Sequence, residues 1–192
     1  MRALAEAGAA PFEVRSRADL ERAEAMIIPG GESTVMGSLL ERFGFMEDFR
    51  RRILAGMPVF GTCAGLILLA KEIEGEDVAA GIVARSPAAQ EKFSRRQPTL
   101  DVLDVTVLRN AYGTQIDSFR ASISTSTPAI PAFEGVFIRA PKVIRVGENV
   151  EVLARHGADP VLVRQGSILA ATFHPELVPG AKVHAFFVSF VS

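Results

Sequence analysis

Residues Pro58–Ile73 read PVFGTCAGLILLAKEI. A short apolar run with valine and phenylalanine, typical of strands, passes through one cysteine into a run of leucine and alanine, typical of helices. A strand that turns straight into a helix is the repeating unit of sheets whose parallel strands are covered by helices. Gly61, Ala64 and Gly65 surround the turn, and Cys63, the chain's single cysteine, stands at its apex. The form G-x-nucleophile-x-G needs its glycines because a Cβ would clash in so sharp a turn. At such an elbow Cys63 points into a cleft, the positive end of the following helix favours its thiolate, and the Ala64 N–H is placed to stabilise an oxyanion. Taken alone, the pentapeptide fits a small buried hydrophobe equally well.

Upstream, MRALAEAGA reads as a short helix stopped by glycine, while FEVRS and AMIIPGG read as short strands. The first half therefore alternates strand and helix, with functional loops expected at the carboxyl ends of the strands. Downstream of Leu100 the segments LDVLDVTVLR, GVFIRAP, KVIRVG, VEVLARHG, DPVLVRQG and SILAATFH follow one another across short Gly, Pro, Asn and Asp turns, so part of this half is expected to be antiparallel. From Ala181 a terminal helix is expected to pack Phe186, Phe187 and Phe190. Between Glu74 and Pro98 the sequence sustains no period and reads as a surface excursion within one domain spanning residues 1–192. The fold class is thus a three-layer α/β arrangement, a mostly parallel sheet with helices on both faces and an antiparallel portion in the second half.

A cysteine nucleophile needs a base, and the base needs an orienting group. The tetrapeptide FHPE supplies both: His174 follows the apolar segment SILAATF and should emerge at a strand end, with Glu176 close enough to hold one imidazole nitrogen. Seen alone, a histidine in this place also fits a structural, hydrogen-bonded residue. His156 reads as a loop residue and His184 as helix surface or local packing. In IIPGGEST, Gly30 and Gly31 end a strand and would let backbone N–H groups approach a ligand, while Glu32, Ser33 and Thr34 cap the next helix; a plain strand-to-helix turn accounts for the segment too.

Composition narrows the classes. The 192 residues are 48% hydrophobic and 22% charged with a formal net charge of −1, which lacks the basic excess of a nucleic-acid binder and the bias of a disordered chain. The longest apolar runs fall well short of the ~20 residues of a membrane span. One cysteine allows no internal disulfide, and no secretory leader pattern opens the chain, so a cytoplasmic enzyme or module is expected.

With the elbow, the glycine loop and FHPE in view, the sequence resembles the class I (triad) glutamine amidotransferases. More closely it is similar to the glutaminase subunit of pyridoxal 5′-phosphate synthase, the PdxT family, through IIPGGEST, PVFGTCAGLILLAKEI, LDVTVLRNAYGTQIDSF, FIRAPKVIRVG and PVLVRQGSILAATFHPEL. The resemblance implies hydrolysis of L-glutamine, with ammonia delivered to a barrel-shaped synthase subunit that builds the coenzyme. It implies Cys63 as nucleophile, His174 as base and then acid, and Glu176 as orienting carboxylate. It also implies a glutamine site made by Gly30, Gly31, Glu32, Arg109, Ile138 and Arg139, and an oxyanion site at Gly31 and Ala64. No cofactor, metal, nucleic acid or membrane is implied.

Two departures from the family pattern stand out. Family members open with a strand ending in a Leu-Gln-Gly-like turn ahead of the helix matching MRALAEAGA, and without it the sheet is expected to lack a central strand and show an exposed edge. The excursion from Glu74 to Pro98 is longer than the family's usual connection. Competing readings are another triad amidotransferase or a γ-glutamyl hydrolase, against which GGEST and RNAYG speak, and a docking module that binds the synthase without cleaving glutamine.

Overall fold

The computed structural model describes residues 1–75, 97–109 and 118–191. Most of the 74–98 excursion, and Asn110–Gly113 of the RNAYG segment, lie outside the described residues. Helices α1 (Arg2–Glu6) and α2 (Arg17–Arg22) precede strand β1 (Met26–Ile28). Helices α3 (Ser33–Arg42) and α4 (Phe45–Leu54) follow, then β2 (Val59–Thr62) and α5 (Ala64–Leu69). Strands β3 (Ala70–Glu74), β4 (Leu103–Leu108), β5 (Ser118–Thr125), β6 (Phe133–Ile138), β7 (Lys142–Val146), β8 (Glu151–His156), β9 (Asp159–Gln165) and β10 (Ile168–Ala171) come next. A 3₁₀ turn at Pro175–Leu177 and helix α6 (Lys182–Val188) end the fold.

Seven strands form one sheet in the order β1-β2-β10-β9-β8-β5-β6, and β3-β4-β7 form a second. The strands that carry the elbow are parallel: Ile28 of β1 is level with Gly61 of β2, and Ala171 of β10 with Thr62. The hairpin-linked strands β8, β9 and β10, and the pairs β5–β6, β5–β8 and β4–β7, are antiparallel. The α/β class and the antiparallel second half are as the sequence reads. The parallel share, however, is confined to β1-β2-β10 and β3–β4, because two-residue turns such as Gly157–Ala158 leave no room for crossovers.

The central strands are buried on both faces. Val59, Ile168 and Ala170 face one apolar cluster with Leu66, Leu68 and Leu69 of α5, whereas Phe60, Leu169 and Ala171 face a second with Val183 and Phe187 of α6. Side chains alternate across a strand, so one strand feeds both layers. Each fully buried leucine contributes roughly 1.5–3 kcal/mol of hydrophobic stabilisation. The terminal helix packs as expected, with Phe187 5.6 Å from Phe60 and Phe186 4.8 Å from Phe190 between ring centroids.

Four local readings change. The helix after Cys63 stops at Leu69, and Ala70–Glu74 forms β3 on β4, since pairing with a neighbouring strand outweighs the helix propensity of LLAKEI. FEVRS is not a strand; its residues have no ladder partner, and its Ser16 instead accepts the Asp19 N–H to cap α2. Strand β1 ends the sheet, with β2 as its one partner strand among the described residues. Strand β5 is additional: Phe119, Ala121 and Ile123 alternate in SFRASIST, but the intervening Ser and Arg mask that period. His156 ends β8 rather than lying in a loop, with its ring 5.5 Å from Phe119.

Candidate active site

Three neighbouring strands, β1, β2 and β10, end at the same edge of the sheet and deliver the glycine loop, Cys63 and His174 together. The ladder runs one residue past β2: the Cys63 N–H donates to the Ala171 carbonyl at 2.8 Å. Cys63 then turns with φ 49° and ψ −102°, a conformation that an L-residue with a Cβ adopts only where its surroundings enforce it. The enforcement comes from close packing around the two glycines. A Cβ on Gly65 would lie 2.1 Å from the Ile28 carbonyl oxygen, and one on Gly61 would lie 2.7 Å from Gly65 backbone atoms. The elbow reading of GTCAG therefore holds in its geometry, and Cys63, 7% exposed, has its Sγ 3.9 Å from the Ile138 carbonyl oxygen.

His174 leaves β10 through Thr172 and Phe173, and its N–H donates to the Val136 carbonyl at 2.8 Å, which anchors its backbone to β6. Pro175 starts the 3₁₀ turn that returns Glu176 to the ring, where Glu176 Oε1 lies 2.8 Å from His174 Nδ1. Ring N–H groups donating to the Cys63 sulfur and to Glu176 push the His174 pKa up to about 10, against burial, which acts the other way. Burial by itself would raise the Glu176 carboxyl, but its hydrogen bonds to His174 and to its own backbone, with the His174 charge, bring it below the usual carboxylate value. The imidazolium form of His174 is thus the favoured one, flanked by the Cys63 sulfur and the Glu176 carboxylate. Gly30 leaves room for it: a Cβ there would sit 2.3 Å from His174 Cε1.

A cavity of about 240 Å3 opens over this group. Gly31, Glu32, Arg109, Ile138 and Arg139 share its wall with Cys63, Ala64 and His174. The structure so brings together every site residue read from the sequence, with Gly30 beneath the imidazole. Arg109, only 11% exposed, reaches Glu32 Oε1 at 3.6 Å, so it is no solvated surface arginine. Arg139 is exposed and held at φ 44° between β6 and β7. Glu32 alone caps α3, accepting from the Thr34 and Val35 N–H groups, while the Ser33 and Thr34 hydroxyls turn to Gln97. Gln97 was not visible as a site residue in the sequence, because it sits in the aperiodic excursion. His184, expected at the helix surface or in packing, is buried with its ring edge-on to Phe60, and burial lowers its pKa.

The chain is similar to known proteins over nearly its whole length. The sequence matches the SNO glutamine amidotransferase family over residues 1–86 and 78–192. The chain belongs to that family. Pyridoxal 5′-phosphate synthase subunit PdxT of Frankia casuarinae is 45% identical over 99% of this chain and 87% of its own length. The PdxT subunit of Mycolicibacterium vanbaalenii is 46% identical over 99% and 90%. A crystal structure of a glutamine amidotransferase superposes with a TM-score of 0.82 at 43% identity, covering 99% of this chain and 90% of that one. PurLQS from Thermotoga maritima superposes with a TM-score of 0.55 at 14% identity, which extends the likeness of fold alone. Among the described residues no helix is long and apolar enough to cross a membrane.

Proposed function

We propose that the chain is the glutaminase subunit of pyridoxal 5′-phosphate synthase, a single amidotransferase domain over residues 1–192. It hydrolyses L-glutamine to glutamate and passes ammonia to a barrel-shaped synthase subunit. The observation that carries this reading is the convergence of Cys63 on its positive-φ elbow with the His174–Glu176 pair in one cavity rimmed by Arg109 and Arg139. An intracellular, reducing setting, the cytoplasm, suits a free thiol nucleophile.

Chemistry follows from the geometry. Glutamine carries an α-carboxylate, for which the Arg109 and Arg139 guanidiniums are suited, and an α-ammonium, for which the Glu32 carboxylate is suited. Cys63 Sγ attacks the side-chain amide carbon, its proton residing on His174. The oxyanion that forms is met by backbone N–H groups at Gly31 and Ala64. Collapse of this intermediate breaks the C–N bond as the His174 imidazolium protonates the leaving nitrogen, releasing ammonia and leaving a γ-glutamyl thioester. Water, deprotonated by the now neutral His174, adds to the thioester carbon; the C–S bond then breaks, glutamate departs, and the Cys63 thiolate is left beside the His174 imidazolium as at the start. Glu176 keeps Nδ1 of the ring engaged so that Nε2 faces the sulfur throughout.

Ammonia release from glutamine, measured with the synthase subunit present, tests the assignment. Cys63→Ala should lower turnover by at least about 10³-fold. Release at the parent rate from Cys63→Ala would remove Cys63 as nucleophile and the reading with it.

A further inference from the structure

Gln97 lies just ahead of β4, in none of the regular elements, yet three donors converge on its side-chain oxygen. Arg109 Nη1 donates to Oε1 at 2.6 Å, the Ser33 hydroxyl at 3.2 Å and the Thr34 hydroxyl at 3.3 Å. Guanidinium groups only donate, so the Gln97 atom facing Arg109 is the oxygen, and the amide orientation is set by its partners. Its other end, Nε2, is buried without a hydrogen-bond partner among the described residues. Burying an unsatisfied amide donor is unfavourable, so solubility or local packing does not account for a glutamine here. The remaining contacts complete a chain of links. Arg109 also reaches Glu32, Glu32 caps α3, and Ser33 and Thr34 form the first turn of α3 immediately after Gly30 and Gly31. One carbonyl oxygen thereby ties the end of β4 to the glycine loop.

We propose that Gln97 is a positioning residue of the glutamine site, its Oε1 clamping the Arg109 guanidinium to the first turn of α3. The clamp fixes where Arg109 presents its donors to the substrate carboxylate, and it holds Gly31 at the cavity wall. The inference rests on the assignment of Arg109 to substrate capture. Long arginine side chains lose considerable rotamer freedom when fixed. A guanidinium already held by Gln97 and Glu32 has given up that freedom before glutamine arrives, which favours binding.

The test uses three variants assayed for ammonia release with the synthase subunit, together with alkylation of Cys63 by iodoacetamide, a reagent with no α-carboxylate. Gln97→Met keeps the size and removes the acceptor; Gln97→Glu keeps the acceptor and removes the amide donors; Arg109→Ala probes the underlying assignment. Expected are a rise in KM for glutamine of about tenfold in Gln97→Met with kcat within threefold of the parent, and a return to near-parent KM in Gln97→Glu. Alkylation rates should be unchanged in both Gln97 variants. An unchanged KM in Gln97→Met beside a raised KM in Arg109→Ala overturns the clamp alone. Equal losses in the Met and Glu variants, a fall confined to kcat, or slowed alkylation would each show that Gln97 serves something other than this clamp. A parent-like KM in Arg109→Ala would overturn the role of Arg109 and the clamp with it.

Discussion

Replacing Gly30 with alanine isolates the space that the imidazole needs. Gly30 is not among the residues with positive φ, so its backbone accepts an alanine without strain of its own. The added Cβ, however, would lie 2.3 Å from His174 Cε1, 2.9 Å from Nδ1 and 3.3 Å from Nε2. Carbon atoms in contact rest at about 3.5–4.0 Å, so the ring must retreat by more than about 1 Å. It cannot retreat with its backbone, because the His174 N–H is bonded to the Val136 carbonyl at 2.8 Å. Rotation of the side chain is the remaining route, and it pulls Nδ1 away from Glu176 and Nε2 away from Cys63. Misplacing a reacting group by about 1 Å costs about 10²-fold in rate, equivalent to about 2.7 kcal/mol of barrier. Gly30→Ala should therefore lower kcat/KM for glutamine by about 10²-fold, mainly through kcat. Its melting temperature should stay within a few degrees of the parent, since about 1 kcal/mol shifts a domain of this size by about 2–4 °C. Ammonia release in the presence of the synthase subunit and a thermal melt are the two measurements. If Gly30→Ala turns over within threefold of the parent, the cavity has slack around His174 that the packing described above does not allow.

Further outcomes concern the charge network and the elbow. Glu176→Gln should lower turnover while leaving glutamine binding in place, and by less than Cys63→Ala. Because Glu176 is one of the groups raising His174, its loss lowers the His174 pKa from about 10, and the alkaline limb of kcat/KM should move to lower pH; a limb that stays put would separate Glu176 from the ring's titration. Glu176 itself, with a folded pKa below its ordinary 4.5, adds stability that is present above pH 4.5 and lost as pH falls through the folded value. The melting difference between the parent and Glu176→Gln should accordingly shrink in acid; a constant difference down to strongly acidic pH contradicts that linkage. Gly65→Ala should destabilise the fold by about 1–3 kcal/mol or more, since its Cβ would meet the Ile28 backbone oxygen at 2.1 Å and neither backbone segment can yield freely. A Gly65→Ala protein that melts with the parent would mean that α5 is not pressed against β1.

Much of the site was legible from residue types at fixed spacings. GTCAG encodes its elbow locally, because the clash that demands glycine arises within a few residues and with the strand next door. His174 and Glu176 are two positions apart, so their pairing needed only one turn of chain to form. Apolar runs bounded by turn residues identified β6 to β10, and the hairpins β8–β9 and β9–β10 are set by short-range turns. Sequence could not see which segments find partners. FEVRS has the composition of a strand and no neighbour to pair with; AKEIE has the composition of a helix and pairs with β4 instead. Ladder hydrogen bonds are made with another part of the chain, so propensity alone does not decide them. The same holds for Gln97, whose meaning comes wholly from Arg109, Ser33 and Thr34 converging on one oxygen. Local sterics and spacing are written in the sequence, and burial, partner choice and the direction of a polar side chain are settled only when distant segments close around it.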